Sequence, residues 1–178
     1  ASIARPGSGS ACRSIHGGYV FWEPTDDGSR IRHIAPAEYW PLEICMAMVD
    51  AGPKKVGSTK AMAHAALSSP IWSAWLETAV LDASAVESAI MAKDFSRLAD
   101  LAEANCLLMH ATTMTARPPV LYFKARTFEL FHLVRGLRAS GHGCFFSVDA
   151  GPNVMVFCLP GEGQAIAQAL EEVMGPDS

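Results

Sequence analysis

The stretch Cys144-Phe145-Phe146-Ser147-Val148-Asp149-Ala150-Gly151-Pro152-Asn153-Val154-Met155-Val156-Phe157-Cys158 decides the fold. Two short runs of aromatic and β-branched residues flank a turn built from Asp, Gly, Pro and Asn. The order predicts strand, tight turn, strand. Asp149 has two readings: it opens the turn and hydrogen-bonds locally, or it is a carboxylate between apolar strands, costly unless partnered or used chemically.

Reading outward from this pair, Leu130, Leu133, Val134 and Leu137 form a helical stripe that Gly141 and Gly143 close off. Ile166, Ala169, Leu170 and Val173 define an amphipathic C-terminal helix. Upstream, Leu98, Leu101, Ala102, Leu108 and Met109 predict a helix from Phe95 to about Thr112. Pro118-Pro119 stops it and leads to a short strand, Val120-Leu121-Tyr122-Phe123. Pro70 opens a helix with Trp72, Trp75, Leu76 and Ala79 on one face, and Ser58 or Thr59 caps another through about Leu67. Leu42–Val49 and Gly17–Trp22 have strand character, with the polar Glu23–Arg30 stretch as a turn. Helices and strands interleave without strict alternation. That predicts an α+β fold, helices packed on one face of a largely antiparallel sheet, over a doubly wound parallel sheet.

With 178 residues, 50% hydrophobic and 18% charged, the chain can bury a sizeable core. A formal charge of −4 gives no global reason to expect nucleic acid. The five cysteines (Cys12, Cys45, Cys106, Cys144 and Cys158) are scattered and form no CxxC. Reduced thiols in a cytoplasmic protein are the expectation, with neither a zinc knuckle nor a disulfide framework. No apolar run reaches membrane-spanning length, so no membrane partner is expected. Ala1–Arg5 reads as the last turn of a helix ended by Pro6-Gly7, which predicts that the chain starts inside a larger protein.

Gly7-Ser8-Gly9-Ser10-Ala11-Cys12-Arg13-Ser14 suits an anion: glycines permit close backbone approach, serine hydroxyls donate, and Arg13 adds a planar charged fork. A flexible turn with a surface arginine is the other reading. Gly52–Thr59 has Walker A spacing, but Ser58 stands where the lysine belongs, so it is no nucleotide loop. A helix N-terminus there still favours an anion. His110, at a helix end, reads as a hydrogen-bonded structural histidine. His16, His33, His64, His132 and His142 show no metal-ligand spacing, so no metal site is expected.

Four blocks in order, Ile3–Ser14 with Gly17–Trp22, Lys55–Thr59 with Met62, His110–Thr112 with Pro118–Tyr122, and Asp149–Asn153, resemble the mevalonate diphosphate decarboxylase family of the GHMP kinase superfamily. The resemblance covers nearly the whole chain. It implies that residues 1–34 are the end of a GHMP N-terminal domain (anion loop and strand) and 35–178 a GHMP-type C-terminal α+β domain. It further implies ATP-dependent decarboxylation of (R)-mevalonate 5-diphosphate to isopentenyl diphosphate, with ATP and Mg2+, in a cytoplasmic homodimer. Carried over by motif, Asp149 is the acid/base residue at the 3-hydroxyl and Arg13 binds the substrate carboxylate. Ser8, Gly9, Ser10, Ser58 and Thr59 contact the substrate or its diphosphate, and Ser10 is the weak nucleotide contact. Carboxylates are poor bases toward a tertiary alcohol, so proton transfer must be coupled to phosphoryl transfer.

Two departures stand out. No glycine-rich ATP loop is present, so these residues alone are expected to be inactive. Leu107 occupies a position where a polar residue is expected, with Asn105 as the substitute. A phosphomevalonate decarboxylase and a mevalonate kinase-type enzyme remain open, as does a non-catalytic α+β binding or dimerisation module.

Overall fold

The computed structural model describes residues 16–25 and 28–175. Ten regular elements follow in order: β1 (Tyr19–Thr25), β2 (Gly28–Ala35), β3 (Glu43–Ala47), α1 (Ser58–Ser68), α2 (Trp72–Ala92), α3 (Phe95–Met114), α4 (Ala125–Ala139), β4 (Cys144–Ser147), β5 (Val154–Cys158) and α5 (Gly163–Met174). Every strand pairing among the described residues is antiparallel: β1 with β2, and a three-stranded sheet in the order β3-β5-β4. The fold is α+β, as the interleaved pattern predicts.

The period-2 alternation of β4 and β5 sorts their side chains onto two faces. One face, with Cys144, Phe146, Val154, Val156 and Cys158, packs on Leu130, Phe131 and Val134 of α4 and Ile166 and Leu170 of α5. Phe131 and Phe146 stack with centroids 4.0 Å apart. The opposite face carries Phe145 and Phe157, stacked at 5.1 Å, against Trp40, Phe95, Leu98 and Ala99. Helices therefore pack on both faces, not on one as the sequence pattern predicts, because Phe145 and Phe157 make the second face apolar as well. Burial at about 25 cal/mol per Å² of apolar surface is what holds such a sheet between its helices.

Three local expectations differ. The Glu23–Arg30 stretch is mostly strand: β1 runs to Thr25 and β2 begins at Gly28. Val120–Phe123 is irregular, because strand-prone residues need a ladder partner and these find none among the described residues; the Val120 N–H donates to the Thr113 carbonyl at 2.9 Å, and Tyr122 and Phe123 pack their rings on His110. Gly57, not Ser58 or Thr59, is the N-cap of α1, with no side-chain cap; its carbonyl accepts the Ala61 N–H at 3.0 Å.

Arg32 latches the β1–β2 hairpin to α2. Its guanidinium donates to Glu23 at 2.6 Å and, bidentately, to Glu87 at 2.6 and 2.8 Å. Hydrogen bonds from Arg32, then Arg30, hold the Glu23 carboxyl below its ordinary value, and Arg32 does the same for Glu87. A carboxyl depressed by folding contributes stability that is full above its unfolded value, about 4.3, and is lost as pH falls through the lower folded value. Amide exchange at pH 3 is therefore expected to show β1–β2 losing protection while β4–β5 keeps it. Equal retention in both would refute the latch.

Candidate active-site cleft

Asp149 leaves β4 two residues beyond its last paired residue, where the chain turns back toward β5. It is exposed rather than buried between the strands, so the cost of an enclosed carboxylate does not arise. The turn is fastened by other groups. The Asp50 N–H donates to Asn153 Oδ1 at 2.9 Å, and Thr127 Oγ1 donates to the Pro152 carbonyl at 2.9 Å. Among the described residues no hydrogen bond or ion pair engages the Asp149 carboxylate. The local-turn reading thus assigns the anchoring role to Asn153 and leaves Asp149 available.

Asp149 lines two clefts. One, about 470 Å³, lies between β1 and the α2–α3 pair, with Trp22, Glu87, Asn105 and Ser147 on its walls. The other, about 860 Å³, is lined by His16, Gly18, Tyr19, Trp40 and Asp149. Both fall within the ~300–1,000 Å³ typical of small-ligand sites. Val20 borders both, so β1 and the residues leading into it form a shared wall opposite Asp149. Gly18 makes that wall possible: its φ is +76°, and a Cβ there would lie 2.5 Å from the Ala35 carbonyl oxygen.

Ser58 and Thr59 form the exposed first turn of α1 and line neither cleft. The loop before them nevertheless abuts the Asp149 turn. The Lys54 side chain lies against Gly151, and Tyr122 donates to the Val56 carbonyl at 3.0 Å. No acidic residue occupies the first turn of α1. Its free N–H groups and the neighbouring Lys54, Lys55 and Lys60 make it an anion-attracting end. Asn105 lines the cleft and donates to Asp82 at 3.0 Å, whereas Leu107 packs into the core. Ser8, Gly9, Ser10 and Arg13, the other expected site residues, lie outside the described residues.

Local sequence patterns did not reveal the apparatus behind Asp149. His110 is buried, with Nε2 3.1 Å from the Val148 carbonyl oxygen, and burial pushes its ring below the ordinary histidine value. Burial also raises Cys106, pushes Cys144 up to about 11 and Cys158 up to about 12, so these thiols are not nucleophiles at neutral pH. Spacing could have signalled the arrangement. Glu103, Cys106 and His110 repeat at helical intervals, a polar stripe inside an otherwise apolar face.

Comparison with known proteins bears on the chain as a whole. Residues 44–178 match the model of the mevalonate 5-diphosphate decarboxylase C-terminal domain, and residues 1–32 match the diphosphomevalonate decarboxylase-like N-terminal domain. Diphosphomevalonate decarboxylase mvd1 of Aspergillus fumigatus is 34% identical over 184 residues, spanning 99% of this chain and 46% of that protein. The human diphosphomevalonate decarboxylase is 37% identical over 167 residues, spanning 88% and 41%. The chain therefore spans less than half the length of these relatives. A crystal structure of mevalonate diphosphate decarboxylase from Staphylococcus aureus superposes with a TM-score of 0.86 at 33% identity, covering 94% of this chain and 52% of that one. A structure of MDDEF in complex with MVAPP, AMPPCP and magnesium superposes equally well, TM-score 0.86 at 39% identity, covering 94% and 52%. Matched along nearly its whole length in sequence and in fold, with Asp149 at the cleft, the chain belongs to the diphosphomevalonate decarboxylase family.

Proposed function

We propose that this chain supplies the acid/base carboxylate and the substrate-carboxylate arginine of an enzyme that decarboxylates (R)-mevalonate 5-diphosphate with consumption of ATP. The products are isopentenyl diphosphate, ADP, phosphate and carbon dioxide. The observation that carries the reading is the cleft wall: His16, Gly18 and Tyr19 share it with Asp149. Arg13 lies only three residues before His16, a reach of at most about 11 Å along the chain. That closeness along the chain supports the reading in which Arg13 and Asp149 serve one cleft.

In this reading Asp149 accepts the proton of the tertiary 3-hydroxyl as that oxygen bonds to the γ-phosphorus of ATP and ADP departs. Phosphate then leaves with the C–O electron pair, the bond to the carboxylate breaks, and its electrons become the new C=C bond as carbon dioxide is released. In-line positioning contributes more than basicity to such a step. Arg13 orients the carboxylate without holding it so tightly that loss of charge is opposed, since only transition-state stabilisation accelerates the step. The α1 N-terminus, with Ser58 and Thr59, takes the diphosphate; Ser8, Gly9 and Ser10 contact the substrate, and Ser10 also contacts the nucleotide.

Magnesium accompanies the nucleotide analogue in a relative. Among the described residues no group of three or more His, Cys, Asp or Glu side chains could hold a metal ion. We assign magnesium to the nucleotide phosphates and derive no step from it. Cytoplasmic action and a homodimer complete the reading. The reduced Cys45, Cys106, Cys144 and Cys158 support the first, and no helix among the described residues is long and apolar enough to cross a membrane. A monomeric mass in solution would count against the dimer.

The test is an assay of carbon dioxide and ADP release by a polypeptide of the relatives' full length that carries this chain. Release is expected with mevalonate 5-diphosphate and not with the monophosphate; the reverse preference would reassign the substrate. The 178 residues alone, lacking a nucleotide loop, are expected to be silent. Failure of the full-length polypeptide with either substrate would leave the binding-module alternative standing.

A further inference from the structure

Among the described residues β4 is an edge strand, paired with β5 on one side only. The backbone groups of its other edge need partners once they are buried. Arg138 of α4 donates to the Cys144 carbonyl at 3.2 Å, and α3 supplies further partners from its side chains. Glu103 Oε1 accepts from the Phe146 N–H at 3.3 Å, and Cys106 Sγ accepts from the Val148 N–H at 3.2 Å. His110 Nε2 lies 3.1 Å from the Val148 carbonyl oxygen, which can only accept, so Nε2 carries the proton. The His110 ring is itself fixed, 4.2 Å from the Phe123 ring and edge-on to Tyr122 at 6.0 Å. Val148 is thereby held at both its N–H and its C=O, and the next residue is Asp149.

We propose that His110, together with Cys106, is a positioning residue for catalysis: by gripping the Val148 peptide groups from α3, it sets the direction in which the Asp149 carboxylate enters the cleft. His110 does not touch substrate. The inference rests on the acid/base reading of Asp149 given above. A plain core histidine would stabilise the fold and nothing more, whereas a positioning histidine acts through Asp149 alone.

The test uses the full-length polypeptide carrying His110→Phe, which keeps the ring packed on Phe123 but removes the donor, and His110→Gln, which restores an amide donor at similar reach. His110→Phe is expected to lower kcat about 100-fold, the scale of an ångström-level misplacement, with KM for mevalonate 5-diphosphate little changed. His110→Gln should recover most of that loss. The double variant Asp149→Asn with His110→Phe should be no slower than Asp149→Asn alone, because effects through one group do not add. Parental kcat per folded molecule in His110→Phe, or effects that multiply in the double variant, would overturn the proposal. If His110→Phe does not fold, Cys106→Ala frees the Val148 N–H and takes its place: a lowered kcat supports the positioning role, and a parental kcat overturns it. The outcomes separate: an active Asp149→Asn defeats the acid/base reading itself. A dead Asp149→Asn beside a fully active His110→Phe defeats only the positioning role.

Discussion

Asp149→Asn in the full-length polypeptide is expected to lower kcat by about 10³-fold or more while the protein folds and melts as the parent does. The magnitude is that of removing a positioned proton acceptor that no other acid among the described cleft residues replaces. Glu87 is tied to Arg32, and Asp82 accepts from Asn105, so neither acid is free to take over. Stability should be nearly untouched, because Asp149 is exposed and the turn is fastened by Asn153 and Thr127. Surface substitutions away from such anchors stay within about 0.5 kcal/mol. Steady-state kinetics beside a thermal melt decides it. A near-parental rate would remove Asp149 from the chemistry.

The second large effect concerns stability. Glu103 is 2% exposed, yet it is charged and sits at the edge of β4. It survives there because Arg138 donates to it at 2.6 and 3.0 Å, Arg135 at 3.1 Å and the Phe146 N–H at 3.3 Å. Glu103→Ala leaves a buried N–H and a partly buried guanidinium without their acceptor. Breaking a buried pair from one side costs roughly 3–5 kcal/mol. The Arg135 and Arg138 side chains are 54% and 26% exposed and regain water, which points to the lower end, about 3 kcal/mol. For a chain of this size that is a fall of roughly 6–12 °C in Tm. Arg135→Ala removes only a half-exposed partner and should cost no more than about 1 kcal/mol. Equal losses from the two variants would show that Glu103 is not the centre of the α3–β4 contact.

The two predictions share a cause. α3 takes the place of a fourth strand: Glu103, Cys106 and His110 satisfy the free edge of β4 with side chains rather than backbone. Such an edge cannot slip or pair with another chain as an open one can. The same contacts carry the chain, at a defined angle, to Asp149. Stability of the edge and direction of the carboxylate are therefore separable by substitution, at Glu103 for the first and at His110 for the second.

The amino-acid sequence by itself determined those features whose signal is local. The Leu130–Leu137 and Ile166–Val173 stripes specified α4 and α5, and the apolar runs around Asp149–Asn153 specified β4 and β5, because periodicity and turn chemistry act over a few residues. The order of four short blocks carried the family. Only the tertiary structure decided the rest. The start of β2 lies in the polar Glu23–Arg30 stretch, which reads as a turn, whereas its ladder with β1 and the tie of Arg32 to Glu87 show only in the folded chain. Val120–Phe123 looked like a strand and is not one, since no sheet edge among the described residues lies beside it and the Val120 N–H bonds the end of α3 instead. That His110 faces Val148, 38 positions away in the chain, is a fact of packing that no local pattern encodes.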